Sequence, residues 1–446
     1  MPDLLIENGT VFTAGARPAV LEDHSVLIEN GLIRAVGPRK KFRDFSGRRL
    51  DASGKVVLPG FINAHTHFYS TFARGLTKAK SSADFRQVLR NLWWRLDSAL
   101  TMEDCYYSAL IPLIDCIRHG TTTLIDHHAS PNAVRGSLPA IAKAVAQTGL
   151  RACLCYEVSD RDGPRVAREG LEENVAFIRR CQELRSQPEP PSLAALFGLH
   201  ASFTLKDSTL ARAAALGGQL GAGFHIHVAE ARSDQEHARR QSGRRVVERL
   251  AKFGILGARS IAAHCVHVNR REMELLQETQ TAVVHNPQSN LNNAVGSADV
   301  VALVSRGVLV GLGTDAMTTN MLEELRVALW AQHARAQHPS VGWTEVTGAL
   351  ANNNPKIAQR CFGMPFGELR AGCVGDVVVI DYDPPTPLTA ANFYGHLVFG
   401  LSQAQVESTI VGGRVLMANK RIQLDLDEPR MNARARELAA KLWKRL

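Results

Sequence analysis

The sequence predicts an α/β protein: a (β/α)8 barrel carrying a small composite β-sandwich domain built from both chain ends. Three observations predict it. Eight short apolar runs recur along the chain, most separated from the next by a segment of helical length, the pattern of a parallel sheet. The two ends read differently, as closely spaced strands and turns. Histidines and carboxylates gather just past the ends of the apolar runs, the face on which such a barrel carries its active site.

Taken in order, residues 4–57 are strand and turn. Leu4-Leu5-Ile6-Glu7-Asn8-Gly9 is an apolar run ending in Asn-Gly, a hairpin signal, and Ser25-Val26-Leu27-Ile28-Glu29-Asn30-Gly31 repeats the form. Val56-Val57-Leu58 is the first of the eight runs. The others are Thr122 to Ile125, Ala152 to Cys155, Leu193 to Phe197, Phe224 to His227, Ser260 to Ala263, Ala282 to Val284 and Val308 to Leu312. Eight such units over about three hundred residues match the size of one barrel. Between them, Asp234 to Phe253 and Asn320 to Trp330 carry apolar residues at helical spacing. Gly375 to Asp381 and Ser408 to Val415 return to strand character. The tail, Pro429 to Leu446, is a basic amphipathic helix with Leu438, Leu442 and Trp443 on one side, expected to pack on the protein's own flank. The expected division is 1–57 plus 366–446 for the β domain and 58–365 for the barrel.

Composition narrows the function. The 446 residues are 45% hydrophobic and 21% charged, and no apolar run approaches the ~20 residues of a membrane span. The start lacks a basic region followed by a long apolar one, so no secretory signal is expected. Eight scattered cysteines without a Cys-x-x-Cys pair fit a reduced, cytoplasmic setting. The net charge of +9 comes from helix-face arginines without interleaved aromatics, which argues against nucleic acid and against a membrane surface. A small-molecule substrate and a homodimer or higher homo-oligomer are expected.

The chemistry is read from the residues after each run. His65 and His67 follow Pro59-Gly60 and, two apart in extended backbone, project the same way. Taken alone, His-x-His fits an ordinary loop as well as a metal site. Later runs end in Asp126-His127-His128, Glu157, His200, His227-Val228-Ala229-Glu230, His264, His285 and Asp315. Core histidines would scatter; these concentrate. Zn2+ or Fe2+ accepts imidazole and carboxylate ligands, and a catalytic site keeps one position for water. His65, His67, a histidine of the fifth run and Asp315 make such a set, with Glu230 and His264 placed to handle protons.

These motifs resemble the amidohydrolase superfamily, in its cytosine-deaminase-like, triazine and guanine aminohydrolase branch. The resemblance rests on Pro59 to His67, His200-Ala201-Ser202-Phe203-Thr204, His227 to Glu230, Ala263-His264-Cys265, His285 to Asn290 and Gly313-Thr314-Asp315. Phe68-Tyr69-Ser70, Arg74-Gly75, Asn91 to Asp97, Asp126 to Pro131 and Asn290 to Asn293 are most similar to the SsnA group of aminohydrolases. The resemblance implies one divalent metal, Zn2+ before Fe2+, on His65, His67, His227 and Asp315. It implies Glu230 and His264 as the proton-handling pair, Asp315 touching the hydrolytic water, and His200 touching substrate. His225 shares a strand face with His227; the spacing His-x-x-Glu selects His227.

Phe68, Tyr69 and Arg74 directly follow the metal histidines and are expected in the substrate pocket, as is Asn290. Asp126, His127 and His128 fit either a supporting cluster or a widened pocket. His267 is expected to satisfy a neighbouring carbonyl. Trp93 and Trp94 read as packing a helix over the barrel mouth or a dimer face, with substrate stacking as the minority reading. The expected activity is hydrolytic release of ammonia from an N-heterocycle such as a purine or pterin, within purine metabolism. The alternatives are a cyclic-amide hydrolase or halohydrolase at the same site, or a non-catalytic accessory protein of a purine or hydroxylase system.

Overall fold

The computed structural model describes residues 2–77, 79–185 and 189–446. Eight parallel strands form the barrel: Phe61–Thr66, Thr121–His128, Arg151–Tyr156, the pair Leu193–Ala195 and Phe197–Ala201, Phe224–Val228, Ile261–His264, Ala282–His285 and Val310–Leu312. They are hydrogen-bonded as one four-stranded and one five-stranded sheet. Isolated parallel bridges join the two, Val158 to Leu199 and Thr66 to Asp315, and so carry the strand order round. The second bridge brings the end of strand eight against His65 and His67.

The first strand is not the one expected. Val56-Val57-Leu58 belongs to strand Val56–Pro59, which pairs with Val377–Asp381 and Leu4–Phe12 in a nine-stranded sheet made from both chain ends. The barrel starts beyond Gly60, with Phe61–Thr66. Both runs are apolar and adjacent, and only pairing partners tell them apart. The side-chain alternation of a strand then serves both sheets. Val57, Val377 and Val379 enter the core of the nine-stranded sheet, whereas Val56, Leu58, Val378 and Ile380 join the core of the barrel. A buried fork locks the junction: Arg151 Nε and Nη2 donate to Asp376 at 2.9 and 3.1 Å.

Other boundaries moved for local reasons. Asn8-Gly9 makes no hairpin; the strand Leu4–Phe12 continues through an irregularity there, with Asn8 at φ 64°. Asn30-Gly31 does turn the chain, between Val20–Glu29 and Leu32–Pro38. The segment expected as one helix from Asp234 to Phe253 is two, Arg232–Ser242 and Val246–Lys252, broken at Gly243. The helix expected from Asn320 is Met321–Ala336, capped by the Asn320 side chain. The tail helix Glu428–Arg445 packs on the protein itself: Leu438 and Leu442 share a core with Tyr69, Phe72 and Leu96. No helix among the described residues is long and apolar enough to cross a membrane.

Candidate active site

The C-terminal strand ends deliver their polar side chains to one buried cluster. Strand one brings His65 and His67, strand five brings His227, and the turn after strand eight brings Asp315. His67 Nδ1 donates to the His127 carbonyl at 2.5 Å, and His227 Nδ1 donates to the His200 carbonyl at 2.8 Å. With their protons on Nδ1, both rings present a bare Nε2, and the two Nε2 atoms stand 3.2 Å apart. His65, giving Nδ1–H to His225 Nε2 at 2.9 Å, leaves a third buried Nε2 without a partner. Asp315 Oδ1 adds a negative oxygen 3.0 Å from His67 Nε2 and 3.7 Å from His65 Nε2. Lone pairs and a carboxylate crowded this way repel unless a cation lies among them. The donor set is the nitrogen-and-oxygen type that Zn2+ or Fe2+ accepts.

The electrostatics agree. Against burial, which disfavours its charge, Glu157 and Asp315 push the His67 imidazolium well above the ordinary range. His65 is pushed down by burial to about 4 in spite of Asp315 beside it. Asp315 stays well below the usual carboxylate range, its burial outweighed by His65 and His67. Two carboxylates thus favour positive charge at His67, carried either by a second ring proton on Nε2 or by a cation bound to that nitrogen in the neutral ring.

His127 was expected only as a supporting or pocket residue. Its ring nitrogens have no hydrogen-bond partner, and it falls with His65, His67 and His227 in a group whose donor atoms lie within 4.8 Å of one another. The His127 ring stacks on His225 at 4.4 Å, which directs it alongside that ring. His225 lies one turn of the pleat below His227, its Nδ1 3.7 Å from Cys155 Sγ and its Nε2 spent on His65. His225 braces a cluster residue, and His227 enters the cluster.

Beside the imidazoles sits a second group of buried polar side chains. His264 Nε2 lies 3.6 Å from Glu230 Oε2 and 3.8 Å from Asp315 Oδ2. Asn290 Nδ2 donates to His264 Nδ1 at 2.8 Å, and Asn286 Nδ2 faces the same atom at 3.5 Å. Nδ1 is thus an acceptor, and the ring proton is on Nε2, toward Glu230 and Asp315. Burial, then Asp315 and Asp234, hold the Glu230 carboxyl well above its ordinary range. Its Oε1 accepts from Asn293 Nδ2 at 3.3 Å.

Strained backbone aims these groups. Ala229, His264, Cys265 and Asp315 all have positive φ, between 47° and 74°, immediately at strand ends. Such strain persists only where surroundings over-determine it. Gly313 explains one constraint: a Cβ there would stand 2.6 Å from Asn286 Oδ1 and 2.8 Å from His65.

Over the cluster lies a narrow cavity walled by Tyr69, Phe85, Trp93, Trp94 and Phe203, with Glu157 and His200 at its base. His200 Nδ1 donates to Thr204 Oγ1 at 2.9 Å, leaving Nε2 open 3.8 Å from Glu157 Oε2. Trp93 and Trp94 ride on the segment Phe85–Val88, Leu89–Trp93 and Trp94–Ser98, whose middle is a π turn. Of the residues expected in the pocket, Tyr69 is there. Phe68 is not: it packs with Leu110 and Leu113 in a core between helices, and its N–H donates to Asp126 Oδ1 at 2.8 Å. Arg74 is not either, being exposed and 3.3 Å from Asp115. Asn290 acts from behind, on His264. His267 does satisfy a carbonyl, that of Val295, at 2.8 Å.

Sequence reasoning left Glu157, Ser289, Asn293 and Asp234 out of the site. Glu157 Oε1 lies 3.1 Å from His67 Nδ1, and His67 holds it at about 2 in spite of burial. Ser289 Oγ donates to Asp315 Oδ2 at 2.5 Å. Glu157 ends an apolar run, and Ser289 and Asn293 lie inside quoted motifs, so all three had a signal; Asp234 had none that stood out.

The description of the amidohydrolase family matches residues 56–416, most of the chain. The chain belongs to the amidohydrolase family. Amidohydrolases are metal-dependent, and the donor cluster is of a kind that could hold such an ion. A 5-methylthioadenosine/S-adenosylhomocysteine deaminase of Pelotomaculum thermopropionicum is 31% identical over 463 aligned positions, covering 100% of both chains. A 5'-deoxyadenosine deaminase of Methanosarcina mazei is 30% identical, again over 100% of both. Among solved structures, an adenosine deaminase from Xanthomonas campestris with bound zinc superposes with TM-score 0.84 and 25% identity, covering 99% of this chain and 98% of that one. An atrazine chlorohydrolase from Arthrobacter aurescens, complexed with zinc, shares this amidohydrolase fold at TM-score 0.81 and 23% identity, covering 98% of this chain and 100% of that one.

Proposed function

We propose that the protein is a metal-dependent hydrolytic deaminase that releases ammonia from an aminated N-heterocycle, with an aminopurine as the substrate class. The observation that carries this reading is the meeting of Glu230 and His264, 3.6 Å apart, beside Asp315 and the bare imidazole nitrogens. The full-length likeness to two deaminases of adenosine-type compounds supports the purine.

In this reading His65, His67, His227 and Asp315 hold one divalent cation, Zn2+ first and Fe2+ second. Bound there, it supplies the Lewis acidity that makes a water nucleophilic near neutral pH. The chain's own residues do the rest. Asp315, its Oδ2 tied by Ser289, orients the attacking water. Glu230, whose burial and acidic neighbours favour the protonated carboxyl, gives a proton to the ring nitrogen as oxygen adds to the neighbouring carbon. His264 donates from Nε2 to the incoming oxygen, its direction fixed by Asn290. Asp315 takes one proton from the attacking water and passes it to the amino nitrogen, which leaves as ammonia. The hydroxyl left on the carbon returns its proton to Glu230 as the carbonyl forms, and one water has been exchanged for one ammonia. His200 offers Nε2 to a ring donor, and Tyr69, Trp93 and Phe203 flank a flat ring.

The test is ammonia release from adenosine, aminopurines, aminopterins and aminopyrimidines by metal-replete protein, with chloride release from a chlorotriazine run alongside. Ammonia from a purine supports the reading. Chloride release without ammonia from any aminated ring would replace it with the halohydrolase alternative.

A further inference from the structure

One buried carboxylate behind the site is used by nothing described so far. Glu324 lies in the first turn of helix Met321–Ala336 and is 0% exposed. Burial, with Asp315 adding to it, pushes its carboxyl well above the usual range. Its Oε1 accepts from the Gln288 N–H at 3.1 Å, and its Oε2 has no hydrogen-bond partner. The one bond it makes is to the start of another helix.

That helix, Pro287–Asn292, carries much of the site's support. Ser289, Asn290 and, just past its end, Asn293 fall within about 100° of arc around its axis, on one face. Each holds a different group. Ser289 Oγ donates to Asp315 Oδ2, Asn290 Nδ2 to His264 Nδ1, and Asn293 Nδ2 to Glu230 Oε1. A helix of under two turns is too short to fix itself in place. Asn286 stands at its cap position without capping it; the Asn286 amide donates instead to the Val284 carbonyl at 3.3 Å. Pro287 has no N–H. Gln288 therefore offers the first N–H of the helix, and Glu324 takes it from 36 residues along the chain. No other side chain among the described residues accepts from this helix start.

We propose that Glu324 is a positioning residue: by capping helix Pro287–Asn292 it holds Ser289, Asn290 and Asn293 in register with Asp315, His264 and Glu230 at once. It touches none of the reacting atoms. The inference rests on the deaminase reading for what those three groups do, and adds that one hydrogen bond outside the cavity sets their alignment. Tyr69, Trp93 and Phe203, which flank the ring, stand on other elements. Alignment can therefore be lost while ligand binding is kept.

The test uses full-length protein and two substitutions close to glutamate in size. Glu324→Gln keeps an accepting oxygen without a charge; Glu324→Met keeps the volume and accepts nothing. Zn2+ affinity is read by competition with a chelator, ligand affinity with inosine, which has no amino group to lose, and kcat and KM from ammonia release. The expected Glu324→Met protein binds Zn2+ about 10–100-fold more weakly and loses kcat by a similar factor. Its KM and inosine affinity stay within about threefold of wild type, and Glu324→Gln restores every value to that range. Because the effect on metal runs through Ser289, Glu324→Met adds less than about threefold to the loss in Ser289→Ala, where independent sites would add in full. Should Glu324→Met not fold, Glu324→Asp, which withdraws the oxygen by one methylene, takes its place with the same expectation. Unchanged Zn2+ affinity and kcat, full addition to Ser289→Ala, or a Gln variant as damaged as Met overturns the proposal. A wild type that releases no ammonia from any aminated ring defeats the deaminase reading, and the Zn2+ affinities still decide the role of Glu324.

Discussion

Replacing Glu230 with glutamine removes the proposed proton carrier and little else. In the structure Oε1 accepts from Asn293 Nδ2 at 3.3 Å, and the glutamine oxygen keeps that bond. The other terminal atom becomes an N–H2 that faces His264 Nε2, 3.6 Å from the present oxygen, donor against donor. General acid catalysis of this kind contributes roughly 10²–10⁴-fold. The added misfit with His264 puts the loss in the upper part of that range, about a thousandfold or more, equivalent to about 4 kcal/mol of barrier. Stability moves the other way. Burial, Asp315 and Asp234 already disfavour a charge at Glu230, so a neutral side chain costs the fold little. The assay is ammonia release with bound metal measured by elemental analysis, thermal melting, and inosine affinity on the same preparation. The expected variant is folded, metal-replete and ligand-binding, with kcat down about a thousandfold and KM moved far less. A metal-replete Glu230→Gln protein with near-normal kcat would show that Glu230 only braces the turn after His227.

Four further outcomes follow from the same geometry. Purified protein should carry close to one Zn2+ or Fe2+ per chain, and His65→Ala should lose it; two metals per chain would contradict the single-cation assignment. His227→Ala should abolish metal binding, whereas His225→Ala, which removes only the brace on His65, should weaken it by about 10–100-fold. Ser289→Ala frees Asp315 Oδ2 and should weaken metal affinity by a similar factor, read by competition with a chelator; unchanged affinity would make that short bond incidental. Arg151→Met strands Asp376 at the junction of barrel and nine-stranded sheet and should cost about 3–5 kcal/mol in denaturant unfolding, with the isolated loss of one surface pair, under 1 kcal/mol, as the opposing result.

What the sequence made legible depended on distance along the chain. Histidines at the ends of apolar runs could be placed because strand direction and the barrel's polarity fix which end faces the site. Asn30-Gly31 could be read as a hairpin because its two strands are neighbours in sequence. Val56-Val57-Leu58 could not be assigned, since its partners Val377–Asp381 lie more than three hundred residues away. The residues after His67 show the limit most plainly. Phe68–Ala73 is a tight 3-10 turn, which fans successive side chains in different directions. Tyr69 enters the cavity, Phe68 the helix core, Phe72 the core under the tail helix, and Arg74 the solvent. Proximity in sequence to a metal histidine says nothing about which of these a residue does.

The site's hidden half is acidic, and that decides what it can accept. Five carboxylates, Asp97, Glu157, Glu230, Asp234 and Asp315, face one narrow cavity. Each has a different balance. His67 keeps Glu157 ionised, His65 and His67 do the same for Asp315, and Asp97 pairs with Arg161 yet is pushed by burial to about 6. Glu230 and Asp234 are raised by burial, which outweighs His67 near the first and Arg86 near the second, Asp234 to about 6. Carboxylates so close cannot all ionise, and their differing surroundings divide them into groups that hold charge and groups that hold protons. The ionised pair belongs with the imidazoles, where positive charge is wanted. Glu230, raised by burial, stands where the proposed reaction needs a proton for the ring nitrogen. A site assembled merely to fill a barrel mouth would have no reason to keep these two kinds of acid side by side, and burying them without a substrate to use them would only weaken the fold.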